Sequence, residues 1–175
     1  DPAGVDLELG APVVQPGEWL TPARRGLLAS VGRANVRVLA KPRVALAASG
    51  DELLRPGDPP AAGRIYDSNS TTMRALMENA GAEVTAIPPL PDDLNTLRAM
   101  IHSAASSADI ILISGGASVG AKDLAVDALR AEGKVLFHGV RIRPGKPLLA
   151  GTVGHALFVA VPGNPTSALT NATLF

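Results

Sequence analysis

The pattern of apolar and polar positions changes character near Lys41. Before it, short apolar pieces are broken by the turn formers Pro2, Gly4, Gly10, Pro12, Pro16 and Gly17. One helix is predicted there, over Ala23 to Val31, with Thr21 as cap, Pro22 at the first helical position and Gly32 past the end. Val36 to Leu39 is β-prone, and Lys41-Pro42 reads as a boundary between residues 1–40 and 41–175.

Beyond that boundary the pattern alternates. Val44 to Ala48 is a continuous apolar run, as expected of a strand covered on both faces. A helix is predicted from about Ser70 to Asn79, with Asp67, Ser68 or Asn69 as cap, and then a strand from Glu83 to Ile87. Asp92 or Asp93 caps a helix whose Leu94, Leu97, Ile101 and Ala104 recur at helical spacing through Ala108. Asp109 to Ile113 is the next buried strand, followed by the glycine-rich run Ser114 to Gly120 and a helix over Asp123 to Glu132. This alternation predicts an α/β fold with three layers, helices on both faces of a mostly parallel sheet.

The last part predicts some antiparallel pairing. Val135 to Phe137, Leu148 to Ala150 and Ala156 to Val161 are short strand candidates, and Gly151 to His155 reads as a hairpin turn. Asn164 and Pro165 then open a final helix.

Composition narrows the picture. The chain has 175 residues, 46% of them hydrophobic but only 3% aromatic, so its core is built of small aliphatic side chains. Sixteen basic and sixteen acidic residues cancel, which gives no global field toward nucleic acid or an anionic membrane. The absence of cysteine excludes disulfides, thiolate metal sites and a cysteine nucleophile. No apolar run approaches the ~20 residues that span a bilayer. No signal peptide is evident either, so the expected location is cytoplasmic. With no initiator Met and a last helix that stops at Phe175, the chain is expected to be an excerpt of a longer protein.

Ligands of such sheets bind beyond the carboxyl ends of the strands, and the candidate chemistry falls there. Ser49-Gly50-Asp51-Glu52 follows one strand, Ser114, Gly115, Gly116, Ser118 and Gly120 follow another, and Pro162, Gly163, Asn164 and Ser167 follow the last. Glycines admit close backbone approach, and the amides of a following helix favour a phosphate. Glu52, Asp67 and Asp123 offer the oxygen ligands that suit Mg²⁺. Arg141, Arg143 and Lys146 put three cations into a segment made irregular by Pro144, Gly145 and Pro147, suited to an oxyanion. Each feature also has a plainer reading: a tight strand-to-helix turn, helix caps at Asp67 and Asp123, a solvated Glu52 and a basic surface loop. P-loop, dinucleotide and zinc-helix motifs are absent, no nucleophile elbow is present, and His102, His138 and His155 read as core or surface residues.

Taken in order, S-G-D-E-L, G-R-I-Y-D-S-N, S-G-G-A-S-V-G-x-x-D, R-P-G-K-P and P-G-N-P-x-S-A resemble the MoeA and gephyrin E-domain family of molybdenum insertases. The resemblance covers Lys41 to Phe175, and residues 1–40 resemble the end of the domain that precedes it. It implies a MogA-like molybdopterin-binding fold, within an enzyme that converts adenylylated molybdopterin and molybdate into molybdenum cofactor and AMP with Mg²⁺. By that resemblance Glu52, Asp67 and Asp123 position metal and phosphoanhydride, Arg143 and Lys146 hold molybdate or phosphate oxygens, and Ser114 to Gly120 with Gly163 to Ser167 cradle the pterin nucleotide. It also implies a homodimer, in which an isolated piece is inactive. Ala121 stands where the family often has Glu, Gly139 where it often has a basic residue, and Ala117 where it often has Val. The rival readings are a MogA-type molybdopterin adenylyltransferase and a gephyrin-like scaffold without turnover.

Overall fold

A computed structural model describes residues 5–116 and 123–175. The chain divides after Ala40 into two compact units. In the first, α1 (Pro22–Ser30) is capped by Thr21, whose hydroxyl accepts from the Arg24 amide at 3.4 Å. Val36 to Leu39 forms no strand: β-prone residues need a partner ladder, and Val38 and Leu39 instead stand exposed.

The second unit is a six-stranded sheet between helices. Its elements are β1 (Arg43–Ala48), β2 (Leu53–Leu54), β3 (Ile65–Tyr66), α2 (Ser68–Asn79), β4 (Glu83–Ala86), α3 (Leu94–Ala105), β5 (Ile110–Ser114), α4 (Leu124–Glu132), β6 (Lys134–His138), β7 (Leu149–Val153), β8 (Ala156–Val161) and α5 (Pro165–Leu174). The spatial order is β4-β1-β5-β8-β7-β6, with β4, β1, β5 and β8 parallel and β7 antiparallel to both of its neighbours, β8 and β6.

Alternation along the strands builds two cores. Ala45, Ile111, Ile113, Leu149 and Phe158 pack with Leu97 and Ile101 of α3 and Leu129 of α4 on one face. Val44, Leu46, Leu112 and Val161 pack with Met73 of α2 and Ala168 of α5 on the other. Both faces are therefore covered, which is why the central strands are continuous apolar runs.

Two predicted details change, and two short strands appear where no element was predicted. The run Gly151 to Val153 belongs to β7, and the turn is confined to Gly154 and His155. Gly151 is there for close packing, because a Cβ would collide with the Lys134 carbonyl and the Leu129 side chain. The stretch between Glu52 and Asp67 contains β2 and β3, which pair in parallel apart from the main sheet. The helix predicted to reach Ala108 ends at Ala105, before two serines, which are poor helix formers. No described helix is long and apolar enough to cross a membrane.

Candidate functional site

From β1 the chain crosses by α2 to β4 on one side, then by α3 to β5 on the other side of β1. Reversal of this kind opens a crevice between the carboxyl ends of the two strands. Side chains from several segments converge at that point. A cleft of about 100 Å³ is lined by Ser49, Glu52, Tyr66, Asp67, Asn69, Ser114, Gly163 and Pro165, among others. Small-molecule pockets commonly run to roughly 300–1,000 Å³, so the cleft fits a phosphate-sized group, with the rest of a larger ligand outside it.

The walls of the cleft are fixed by buried polar contacts. Ser114 and Asn69 are buried, and Asn69 Nδ2 donates both to Ser114 Oγ at 2.6 Å and to the Gly163 carbonyl at 2.8 Å. One amide thus ties α2 to the ends of β5 and β8. Ser49, also buried, donates from Oγ to Asp92 at 2.7 Å. Asp92 is thereby taken up by the cleft wall, and Asp93 is the residue that caps α3. Asp67 caps α2, its Oδ1 accepting from the Ser70 amide at 2.9 Å, while Glu52 is exposed at the rim. Among the described residues no three His, Asp or Glu side chains cluster as a metal site.

The glycines act as backbone elements. Gly115 has φ +89° and donates its N–H to the Val161 carbonyl at 3.0 Å. A Cβ there would collide with the Ser49 carbonyl oxygen. Gly163 faces it so closely that a Cβ would lie 3.6 Å from the Gly115 Cα. Gly116 accepts from the Ala125 amide at 3.4 Å, which brings the N-terminus of α4 against the loop. Ser118, Gly120, Ala117 and Ala121 lie outside the described residues. At the third loop Pro162 is buried, and Asn164 caps α5 by accepting from the Ser167 amide at 3.2 Å.

The remaining two groups stand apart from the cleft lining. Asp123 is buried at the start of α4, where Oδ1 accepts from the Val126 amide at 3.1 Å and Oδ2 lies 3.2 Å from His138 Nε2. Arg141, Arg143 and Lys146 are exposed in the loop between β6 and β7, and none makes an ion pair with another described residue. That loop is anchored at Gly145, whose carbonyl accepts from Nδ2 of the fully buried Asn171 at 3.0 Å. Gly139, at φ +90°, turns the chain into it.

Glu52, Asp67, Ser114 and Gly163 are therefore brought together, Asp123 stands beside Gly116 at the neighbouring corner, and the cations occupy a separate loop. Sequence reasoning overlooked the roles of Ser49, Asn171 and His138, and took Asn69 only as a possible cap.

A family model described as "Probable molybdopterin binding domain" matches residues 45–175. A molybdopterin molybdenumtransferase from Haemophilus influenzae is 39% identical over 166 residues, covering 95% of this chain and 41% of its own length. Molybdopterin molybdenumtransferase 2 from Mycobacterium tuberculosis is 37% identical, covering 99% of this chain and 44% of its own length. The chain thus spans about two fifths of the curated relatives it matches. A molybdopterin biosynthesis MoeA protein from Pyrococcus horikosii superposes with TM-score 0.87 at 37% identity, over 98% of this chain and 42% of that one. MogA shares the fold, with TM-score 0.59 at 19% identity over 75% of this chain. On residues 45–175 and these relatives, the chain belongs to the molybdopterin-binding domain family of molybdenum cofactor biosynthesis, on the MoeA branch.

Proposed function

We propose that this chain is the substrate-binding part of a molybdenum insertase, which takes adenylylated molybdopterin and molybdate and yields molybdenum cofactor and AMP. The observation that carries this reading is the convergence of Glu52, Asp67, Asn69, Ser114 and Gly163 on one cleft at the carboxyl ends of adjacent parallel strands. Match coverage supports an insertase over a MogA-type adenylyltransferase, because the MoeA likeness spans 98% of the chain and the MogA likeness 75%.

In this reading Ser114 to Gly116 and Gly163 to Ser167 hold the nucleotide through backbone groups and the amide-rich start of α5. Glu52 and Asp67 hold Mg²⁺, with Asp123 at the adjoining corner. The donor set fits that ion: the carboxylates are hard oxygen ligands, and Mg²⁺ commonly takes one or two carboxylates, with waters and substrate phosphates completing the shell. When bound, it supplies charge that offsets the charge developing on the phosphoanhydride oxygens. Arg143 and Lys146, which make no ion pair with another described residue and flank the fixed Gly145, bind the oxyanion, molybdate or phosphate. Water adds to the adenylyl phosphorus as the anhydride P–O bond breaks, so that AMP leaves with the new oxygen and the pterin phosphate keeps the bridging one, and no covalent enzyme intermediate is needed. The same resemblance makes the working unit a homodimer.

The test uses the complete protein carrying this chain. Glu52→Ala and Asp123→Ala each abolish Mg²⁺-dependent release of AMP from adenylylated molybdopterin. Full release by both variants overturns the reading.

A further inference from the structure

His138 lies on an edge strand, where alternation alone would turn it away from α4. In an antiparallel pair, residues opposite each other share a face. Val135 is opposite Gly151, and Val135 packs into the core beneath α3 and α4. Two residues on, Phe137 would be expected on that same face. The ladder instead shifts between Val135 and Phe137, leaving Leu136 without a partner, so Phe137 is opposite Ala150 and His138 is opposite Leu149. Leu149 belongs to the α4-side core. The bulge therefore moves His138 onto the α4 face, as bulges beside functional sites do when they re-aim a side chain. It lands with Nε2 at 3.2 Å from Asp123 Oδ2.

Asp123 is buried, and its other oxygen caps α4 through the Val126 amide. The imidazole and the helix amide thus each contact one of the two carboxylate oxygens. Directly after His138, Gly139 turns the chain into the cationic loop, with its N–H on the Leu148 carbonyl at 2.7 Å. One side chain links the start of α4 to the base of that loop.

We propose that His138 is a positioning residue for Asp123, re-aimed by the bulge at Leu136 to hold the α4-capping carboxylate in the orientation that metal and phosphate require. The inference rests on the insertase reading for its consequence but not for the pair itself.

The experiment has two arms on the complete protein. In the first, AMP formation is followed against Mg²⁺ concentration. His138→Ala lowers the rate about 10- to 100-fold, the usual range for an outer-shell partner, and raises the Mg²⁺ needed for half-saturation. His138→Gln, which keeps an N–H donor at similar reach, restores most of both, and the melting midpoints of the two variants agree. Equal loss in both variants, or no loss in either, overturns the proposal. In the second arm, ¹⁵N NMR reads the hydrogen bonding of the His138 ring nitrogens. The wild type shows the signature of a hydrogen-bonded Nε2, and Asp123→Asn, which replaces the carboxylate by a neutral amide, displaces that signal. Ring nitrogen signals that ignore Asp123→Asn overturn the pair whether or not the protein releases AMP, so failure of the insertase reading remains distinguishable.

Discussion

In the cleft at the ends of β1, β5 and β8, the side chains of Ser49, Asn69 and Ser114 are buried and hydrogen-bonded within the cleft wall. In the loop from Gly139 to Pro147 the three cations stand in solvent, while the loop itself is held by Val140 packing on the core and by the Gly145 carbonyl bonded to Asn171. The difference has an energetic consequence. A buried polar network is both scaffold and site, so damage to it lowers stability and binding together. An exposed, unpaired cation contributes little to folding, so its loss is felt by the ligand alone.

The sharpest break of this contrast is Gly115→Ala. The new Cβ meets the Ser49 carbonyl oxygen, and the residue must keep φ at +89°. Left-handed strain plus overpacking costs about 2–5 kcal/mol, which thermal or denaturant unfolding measures directly. Gly163→Ala is the companion, because its Cβ would make an ordinary contact at 3.6 Å and should leave the unfolding midpoint nearly unchanged. Equal midpoints in the two variants would show that the Gly115 turn is not the rigid part.

Asn69→Ala comes next. It removes two hydrogen bonds and leaves the Gly163 carbonyl and Ser114 hydroxyl without that partner. The expected loss is about 1–3 kcal/mol of stability, the range for orphaned buried groups, with weaker nucleotide binding in the same variant. Calorimetry with AMP and a denaturant titration read the two effects. Lost affinity without lost stability would place Asn69 with the exposed cations instead.

The scaffold was legible in the sequence where the physics is local or repetitive. Buried central strands are continuous apolar runs, and the caps Thr21, Asp67, Asp93, Asp123 and Asn164 stand at or beside their predicted places because an Asx or Thr oxygen answers the free amides of the first turn. Features set by distant partners were not legible. Strands β2 and β3 are two residues each, too short for any period. Gly151 resembles a turn residue until Leu129 and Lys134 are brought against it. The bulge at Leu136, which decides where His138 points, has no signature in a run as short as Lys134 to His138. The site follows the same division: its loops were found by their position after strands, while the cross-links Asn69 and Asn171 depend on tertiary contact.

Arg143→Ala and Lys146→Ala test the exposed half. Each removes one charged donor, so affinity for molybdate should fall about tenfold or more, as expected for a hydrogen bond to a charged group. The unfolding midpoint should hold, because neither side chain makes an ion pair with another described residue. A stability loss as large as that of Asn69→Ala would mean the loop is a scaffold after all.

The smallest effect is a control at the opposite end of the sheet. Arg43 and Asp109 pair there at 2.9 Å, at the amino ends of β1 and β5, and both are well exposed. The Arg43 hydrogen bonds hold the Asp109 carboxyl down at about 2, from an ordinary 3.8. A depressed carboxyl stabilises the fold fully above its unfolded value, and that contribution disappears as pH falls from about 4 through 2. Asp109→Asn should therefore remove a small acid-side slope in stability over that window and leave stability nearly independent of this group above it. Denaturant midpoints between pH 2 and pH 7 give the slope. Ligand binding near neutral pH should be unchanged, because the pair shares no residue with the cleft or the cationic loop. If Asp109→Asn weakens AMP binding as Asn69→Ala does, coupling through β1 and β5 reaches the site, and the division between a rigid cleft and an independent loop fails at its base.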